Sequence, residues 1–93
     1  MTVVRLDHVQ LAYPPDGEPL ARRFYGEVMG FTEVDKPAAM RARGGMWFQA
    51  GPIGIHLGLE PGMQPSQKAH PALVVTELEA LIARLTAAGF EWR

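Results

Sequence analysis

The 93-residue sequence predicts an α+β domain built from a unit that occurs twice. Each unit begins with a short aliphatic strand led by a histidine, continues into an amphipathic helix, and ends with Gly-Phe and a further strand. The first unit runs from His8 to Val34 and the second from His70 to Trp92. Such internal similarity is the signature of a duplicated supersecondary unit. The short chain predicts a single domain with a modest core.

Composition excludes several classes of function. The formal net charge is −1 and the charges are scattered, which argues against binding to nucleic acid or to an anionic membrane. Cysteine is absent, which excludes disulfides, thiolate nucleophiles and sulfur-ligated metals. Because neither a signal-peptide pattern nor an apolar run of about 20 residues is found, we expect a soluble, cytoplasmic protein.

The first strand is predicted over Val3 to Ala12, where β-branched and aliphatic residues dominate, and the turn-forming residues 13–17 end it. Side chains alternate between the two faces of a strand. His8 and Gln10 therefore share the face opposite their aliphatic neighbours, and on that face we expect the chemistry.

The first helix is predicted over Glu18 to Met29, with Asp16 as its N-cap and Gly30 as its left-handed C-terminal residue. Its apolar residues recur at four-residue steps, which is typical of a helix with one buried stripe. The stripe consists of Leu20, Phe24 and Val28.

Three strands are predicted next, over Phe31 to Val34, Met46 to Ala50 and Ile53 to Leu59. Residues 38–43 suit a short helical turn and an extended stretch equally well. In the last strand His56 lies between two glycines on the face opposite the aliphatic residues. Such a face suits a ligand or a metal close to the backbone, although glycines equally mark a bulge or sharp curvature.

The second unit follows a linker over residues 60–69. A strand is predicted from His70 to Val75, a capping box over Thr76 to Glu79, a helix that ends at Gly89, and a final strand from Phe90 onward. The stripe of this helix consists of Leu78, Leu81, Ile82 and Leu85.

Compared with the first unit, the second lacks on the order of 30 residues, enough for two or three strands. An incomplete sheet exposes an unpaired edge and uncovered apolar surface. Either those strands are missing from this sequence, or another chain supplies the cover.

The segments Leu6–Val9, Ala21–Phe31 and Lys68–Leu73 resemble the vicinal oxygen chelate superfamily, which includes glyoxalase I, bleomycin resistance proteins and extradiol dioxygenases. The Phe-Tyr-x-x-x-x-Gly-Phe motif is specific to the superfamily but not to one activity. The resemblance implies βαβββ modules that form a cupped mixed sheet, commonly completed across a homodimer, with a metal inside the cup. Residues 1–67 would form the first module and residues 68–93 the start of an incomplete second one.

The same resemblance implies candidate metal ligands. His8 and His70 match the ligand position on the first strand of each module, and His56 matches a fourth-strand position where glyoxalase I has a glutamate. The superfamily's last ligand, a glutamate on the closing strand, has no counterpart in this sequence. Imidazole and carboxylate ligands suit Ni²⁺, Zn²⁺, Co²⁺, Mn²⁺ or Fe²⁺, so the metal stays unidentified. Each histidine is also compatible with an ordinary hydrogen-bonded or surface residue.

Gln10, Trp47 and Phe48 are the candidate substrate-binding residues, although strand aromatics are commonly plain core residues. The leading hypothesis is a glyoxalase-like, metal-dependent lyase or isomerase acting on a small oxygenated or thiol-adduct substrate. The first alternative is a metal-free protein of the bleomycin-resistance type that binds a drug or metabolite. The second is a non-catalytic dimerisation partner. The sequence indicates neither a catalytic residue nor a substrate.

Overall fold

The computed structural model describes residues 1–93 and contains one four-stranded mixed sheet. Its strands are β1 (Val9–Tyr13), β2 (Thr32–Val34), β3 (Met46–Ala50) and β4 (Ile53–Leu59). Their order across the sheet is β1-β4-β3-β2, with β1 parallel to β4 and the other neighbours antiparallel. The chain order of strand, helix and three strands confirms the predicted α+β class and the βαβββ arrangement. The division into modules at residue 67 stays a prediction.

Helices connect and flank these strands. They are α1 (Glu18–Ala21), a π-helix (Arg22–Val28), α2 (Ala38–Arg41) and α3 (Leu78–Ala87). The predicted first helix is thus one continuous helix whose second part is wider, and at its end Met29 N–H donates to the carbonyl of Phe24, five residues back, at 2.9 Å. The segment that the sequence left open forms the helical turn α2. No helix has the length and apolar character needed to cross a membrane.

The core lies between the sheet and the first helix. Phe48 and Ile55 are each only 1% exposed, and Tyr25 of the π-helix stacks on Phe48 with ring centroids 5.5 Å apart. The core cluster consists of Tyr13, Ala21, Phe31, Met46, Phe48, Ile55 and Leu57. Val28 is buried as predicted, but Leu20 is 55% exposed. The change from α to π geometry after Ala21 breaks the four-residue period on which the prediction for Leu20 rested.

The first strand is shorter than predicted and begins at Val9 instead of Val3. Its partner β4 begins at Ile53, and the parallel register pairs Val9 with Ile55, so residues before Asp7 lie beyond the end of β4. Val3 and Val4 are accordingly exposed. The N-cap of α1 is Gly17 and not Asp16.

The second unit departs most from the prediction. Residues 70–75 and 90–93 form no strand, and the residues before α3 form no capping box, because Glu77 adopts a left-handed conformation and no side chain caps the helix. A strand requires a partner, and no neighbouring strand lies beside either segment. The predicted helix itself is confirmed as α3.

Few contacts fix α3 to the rest of the chain. Nε of Arg84 donates to the carbonyl of Val28 at 3.1 Å, and Arg23 donates to the carbonyl of Ala88. Beyond the helix, the ring of Phe90 packs edge-on against Phe24 with centroids 5.3 Å apart. These contacts all reach the π-helix, so α3 docks beside it and not on the sheet.

Candidate functional site: a ring stack on the open face of the sheet

The face of the sheet opposite the core, called the open face below, carries the candidate residues. Gln10 of β1 and Trp47 of β3 both pair with His56 of β4, one on each side, so the three side chains lie level across three strands. The alternation of β4 places Ile55 and Leu57 in the core and His56 on the open face, as the sequence predicts.

Three rings form a row across this face. The indole of Trp47 stacks on the imidazole of His56 with centroids 4.1 Å apart and planes 8° apart. The imidazole of His8 stacks on the other side of His56, at 3.8 Å and 13°. This group, called the ring stack below, joins β3, β4 and the residue that precedes β1. It therefore depends on the correct pairing of all three strands.

Two groups at the ring stack, His56 and the carboxylate of Asp7, have shifted pKa values. Burial, reinforced by the neighbouring His8, lowers the pKa of His56 because both disfavour the imidazolium form. Nδ1 of His8 donates to the carboxylate of Asp7 at 2.9 Å, and this hydrogen bond, together with Arg5, lowers the pKa of Asp7. Because Nδ1 of His8 is hydrogen-bonded to Asp7, Nε2 is the ring nitrogen of His8 that is free to contact a ligand.

The glycines on either side of His56, Gly54 and Gly58, leave room for two side chains. These belong to His8, just before β1, and to Gln10 of β1. A Cβ at Gly54 would lie 3.2 Å from Cβ of His8, and a Cβ at Gly58 would lie 2.5 Å from Nε2 of Gln10. The glycines therefore allow His8 and Gln10 to fold over β4. The space that the sequence indicated for a ligand is partly taken by these two side chains.

Two of the three predicted metal ligands come together, but their geometry does not suit a shared ion. A metal bound to imidazole lies close to the ring plane, about 2.0–2.1 Å from the nitrogen. The planes of His8 and His56 are nearly parallel and their centroids lie 3.8 Å apart, so one ion cannot lie in both. Nowhere in the chain do three His, Asp or Glu side chains gather closely enough to hold a metal ion.

His70, the third predicted ligand, is not part of the ring stack. It is exposed on the irregular segment before α3, and its Nδ1 donates to the carbonyl of Lys68 at 2.7 Å. The residues that follow it, 71–74, do line a cavity together with Asp7 and His8. The segment thus runs near the ring stack, while the His70 side chain is engaged elsewhere.

The three predicted substrate-binding residues separate between the two faces. Gln10 and Trp47 lie on the open face, beside His56. Phe48 is in the core, 1% exposed, and cannot contact a ligand on the open face. Strand alternation already places Trp47 and Phe48 on opposite faces, so the sequence contained the signal that separates them.

Sequence reasoning missed two basic residues near the ring stack. Lys36 and Arg43 line a cavity together with Gln10, Trp47 and Gly58. Both residues flank α2, which carries them from the end of β2 to the start of β3. Their only sequence signal is proximity to the Gly44-Gly45 turn before β3, which brings residue 43 to the end of the strand that carries Trp47.

The chain is similar to known proteins in both sequence and structure. Residues 5–93 match the Glyoxalase/Bleomycin resistance protein/Dioxygenase superfamily. A crystal structure from Bacillus anthracis, of a protein assigned to the glyoxalase family, is 40% identical with a TM-score of 0.88 and covers 98% of this chain and 75% of its own. None of the curated proteins matches the chain significantly.

A second crystal structure, of SMU.1112c, shares only the fold. It is 16% identical, with a TM-score of 0.62, and covers 95% of this chain and 77% of its own. The family match spans nearly the whole chain, and the βαβββ topology agrees with it. The chain therefore belongs to the Glyoxalase/Bleomycin resistance protein/Dioxygenase superfamily.

Proposed function

We propose that the chain is a small-molecule-binding protein of the bleomycin-resistance type, which holds an oxygenated drug or metabolite on the open face without a metal. The observation that carries the proposal is the ring stack of Trp47, His56 and His8. It combines apolar ring surface with imidazole nitrogens, and Gln10 adds an amide beside it. Apolar walls with a few polar groups are typical of ligand sites.

The parallel imidazoles favour a particular kind of ligand. Two stacked imidazoles with centroids 3.8 Å apart bring ring nitrogens of two residues close together, which suits separate hydrogen bonds to two adjacent oxygens. This arrangement does not suit coordination of one metal ion by both imidazoles, because one ion cannot lie in both ring planes. The ligand class is therefore a small, flat molecule with neighbouring oxygen atoms.

The test uses catechol, a flat molecule with two adjacent oxygens, and protein treated with a chelator. In a Trp92→Phe background, Trp47 is the only tryptophan, and its fluorescence reports on the ring stack directly. We expect saturable quenching by catechol, and at least about tenfold weaker binding in His56→Ala, since a hydrogen bond and ring contact are lost. His70→Ala removes a histidine outside the ring stack and is the matched control. Equal binding in the His56 and His70 variants, or no saturable binding, would contradict the proposal.

A glyoxalase-like, metal-dependent lyase or isomerase for a small oxygenated or thiol-adduct substrate is the second candidate. The hydrogen bond from His8 Nδ1 to Asp7 favours it, because metal-binding histidines commonly donate their other nitrogen to a carboxylate. The rings as they stand do not fit one ion, so this candidate requires His8 or His56 to leave the ring stack. Calorimetric titration with Zn²⁺, Ni²⁺, Co²⁺, Mn²⁺ and Fe²⁺ tests it. Stoichiometric binding that is lost in His8→Ala would support it, and no binding would contradict it.

The proposal includes a homodimer. Val3, Val4 and Leu6 are 73%, 86% and 72% exposed beside the free edge of β1, and Val74 is 99% exposed. Exposed apolar side chains next to an unpaired strand edge are typical of an interface. Light scattering should give twice the 10.2 kDa mass of the chain, and a monomer at the same concentration would contradict the dimer.

A further inference from the structure

A second cavity of about 240 Å³ lies on the open face, directly beside the ring stack. Trp47 belongs to the ring stack and also lines the cavity, and Gln10, which pairs with His56, lines the cavity as well. Gly58 also lines it and lies two residues along β4 from His56, a distance of about 7 Å. A small molecule is long enough to contact both the ring stack and this cavity.

The cavity carries two positive charges and no negative one. Lys36 and Arg43 line it, and none of the other lining residues is acidic. Lys36 is half-buried and donates one hydrogen bond to the carbonyl of Gly44, which leaves two N–H groups of its ammonium for a ligand. Arg43 is exposed and takes part in none of the ion pairs of the chain.

Two of the other arginines are held by carboxylates of the chain itself. Arg22 binds Glu33 at 2.8 Å and Glu18 at 3.3 Å, and Arg5 binds Asp7 at 3.2 Å. Lys36 and Arg43, which line the same cavity, have no carboxylate partner. An anionic group placed there would receive charge-assisted hydrogen bonds from both.

On the basis of the proposed function, we infer that the ligand carries an oxyanion, a carboxylate or a phosphate, which Lys36 and Arg43 bind while the oxygenated end of the ligand contacts the ring stack. Lys36 supplies a partly buried point charge, and Arg43 a planar guanidinium that can bind two oxygens. Gln10, between the two groups, fixes the distance between the two ends of the ligand. The ligand class narrows to small, flat, oxygenated acids.

The oxyanion subsite is tested first with inorganic phosphate, independently of the ring stack. Amide resonances of Gly44, Gly45 and Gly58, and the indole N–H of Trp47, are followed by NMR during the titration. We expect saturable shifts at these positions and at least tenfold weaker phosphate binding in Lys36→Gln and Arg43→Gln. Lys68→Gln and Arg93→Gln remove the same charges from exposed positions outside the cavity and are the controls.

Two results of this titration would overturn the inference. The first is an absence of saturable shifts at the cavity, and the second is an equal loss of binding in the cavity variants and in their charge-matched controls. Saturable cavity shifts in a protein that fails to bind catechol would support the oxyanion subsite and contradict only the proposed function. The two failures are thus distinguishable.

A second measurement links the subsite to the ligand. Protocatechuate is catechol with one added carboxylate, so the pair differs in the oxyanion alone. We expect protocatechuate to bind at least tenfold more tightly than catechol, Lys36→Gln to remove this difference, and the control Lys68→Gln, outside the cavity, to retain it. A preference for protocatechuate that persists in Lys36→Gln and Arg43→Gln would overturn the inference.

Discussion

The two halves of the chain share a sequence pattern but not a structure. Residues 9–59 form a paired four-stranded sheet with a helix on one face, whereas residues 70–93 retain only the helix α3. Every buried residue except Leu81 lies before position 58. In the first half the leading strand finds β4 as its partner, and in the second half no strand is available.

The difference shows what a strand pattern can and cannot specify. A helix satisfies its own backbone hydrogen bonds, so α3 forms although its sheet is incomplete. A strand satisfies its backbone hydrogen-bonding groups only through a neighbouring strand. Residues 70–75 have a strand-like sequence but no such neighbour, so their backbone remains irregular. In the second unit the sequence pattern therefore predicts the helix correctly and the strands wrongly.

The comparison predicts a large difference in stability between core substitutions in the two halves. Phe48→Ala should lower the free energy of unfolding by about 3–5 kcal/mol, because it leaves a cavity against Tyr25. Leu81→Ala should cost about 2 kcal/mol, at the low end for such a change, since Leu81 already lines a cavity. Urea denaturation followed by circular dichroism measures both.

Leu78→Ala, at a position of α3 that is 57% exposed, is the control for this pair and should change the unfolding free energy by less than about 0.5 kcal/mol. A cost for Leu81→Ala as large as that for Phe48→Ala would show that the second half is packed as tightly as the first.

Two glycines, one in each half, extend the comparison of stability. Both have positive φ, but an added Cβ would meet a neighbouring atom at only one of them. Gly45 has φ 95°, and a Cβ there would overlap the carbonyl oxygen of Leu57 in the sheet. Gly45→Ala should therefore cost about 2–5 kcal/mol, from backbone strain and overlap together. Gly89, after α3, has φ 85° and open space around it, so Gly89→Ala should cost only the strain of about 1–2 kcal/mol. Similar midpoints of thermal unfolding for the two variants would refute this distinction.

The smallest expected effect is a dependence of stability on pH that comes from the ring stack. The pKa of His56 is lowered in the folded chain, so below about pH 6.5 the unfolded chain takes up the proton first. The free energy of unfolding should therefore fall as the pH drops below that value, and this contribution should be complete above it. His56→Gln should reduce the loss, and His70→Gln should leave it unchanged. Identical pH profiles for the wild type and His56→Gln would contradict the prediction.

Much of the first half could be predicted because its local signals agree with its tertiary environment. The bounds of β3 and β4 match the prediction, since alternation, turn residues and burial all indicate the same segments. The start of β1 could not be predicted, because it depends on where β4 begins, which is a long-range property. The π-helix was missed because no local pattern distinguishes it from an α-helix.

The site was predictable in part for the same reasons. Alternation places His8, His56 and Gln10 on one face, and the register brings them together. Strand alternation does not predict that the rings stack, because stacking depends on the conformations of the side chains. Lys36 and Arg43 were missed because α2, and not a strand pattern, carries them to the cavity.

The parallel pairing of β1 with β4 has a consequence for the kinetics of folding. β3 and β4 are joined by a tight turn and can pair early, whereas β1 pairs with residues that lie far along the chain. The hairpin thus brings Trp47 and His56 together first, and His8 arrives only when β1 docks. Stopped-flow fluorescence of Trp47 should show this arrival as a late phase. The binding site would then be the last part of the molecule to form, so that only a fully folded chain binds its ligand.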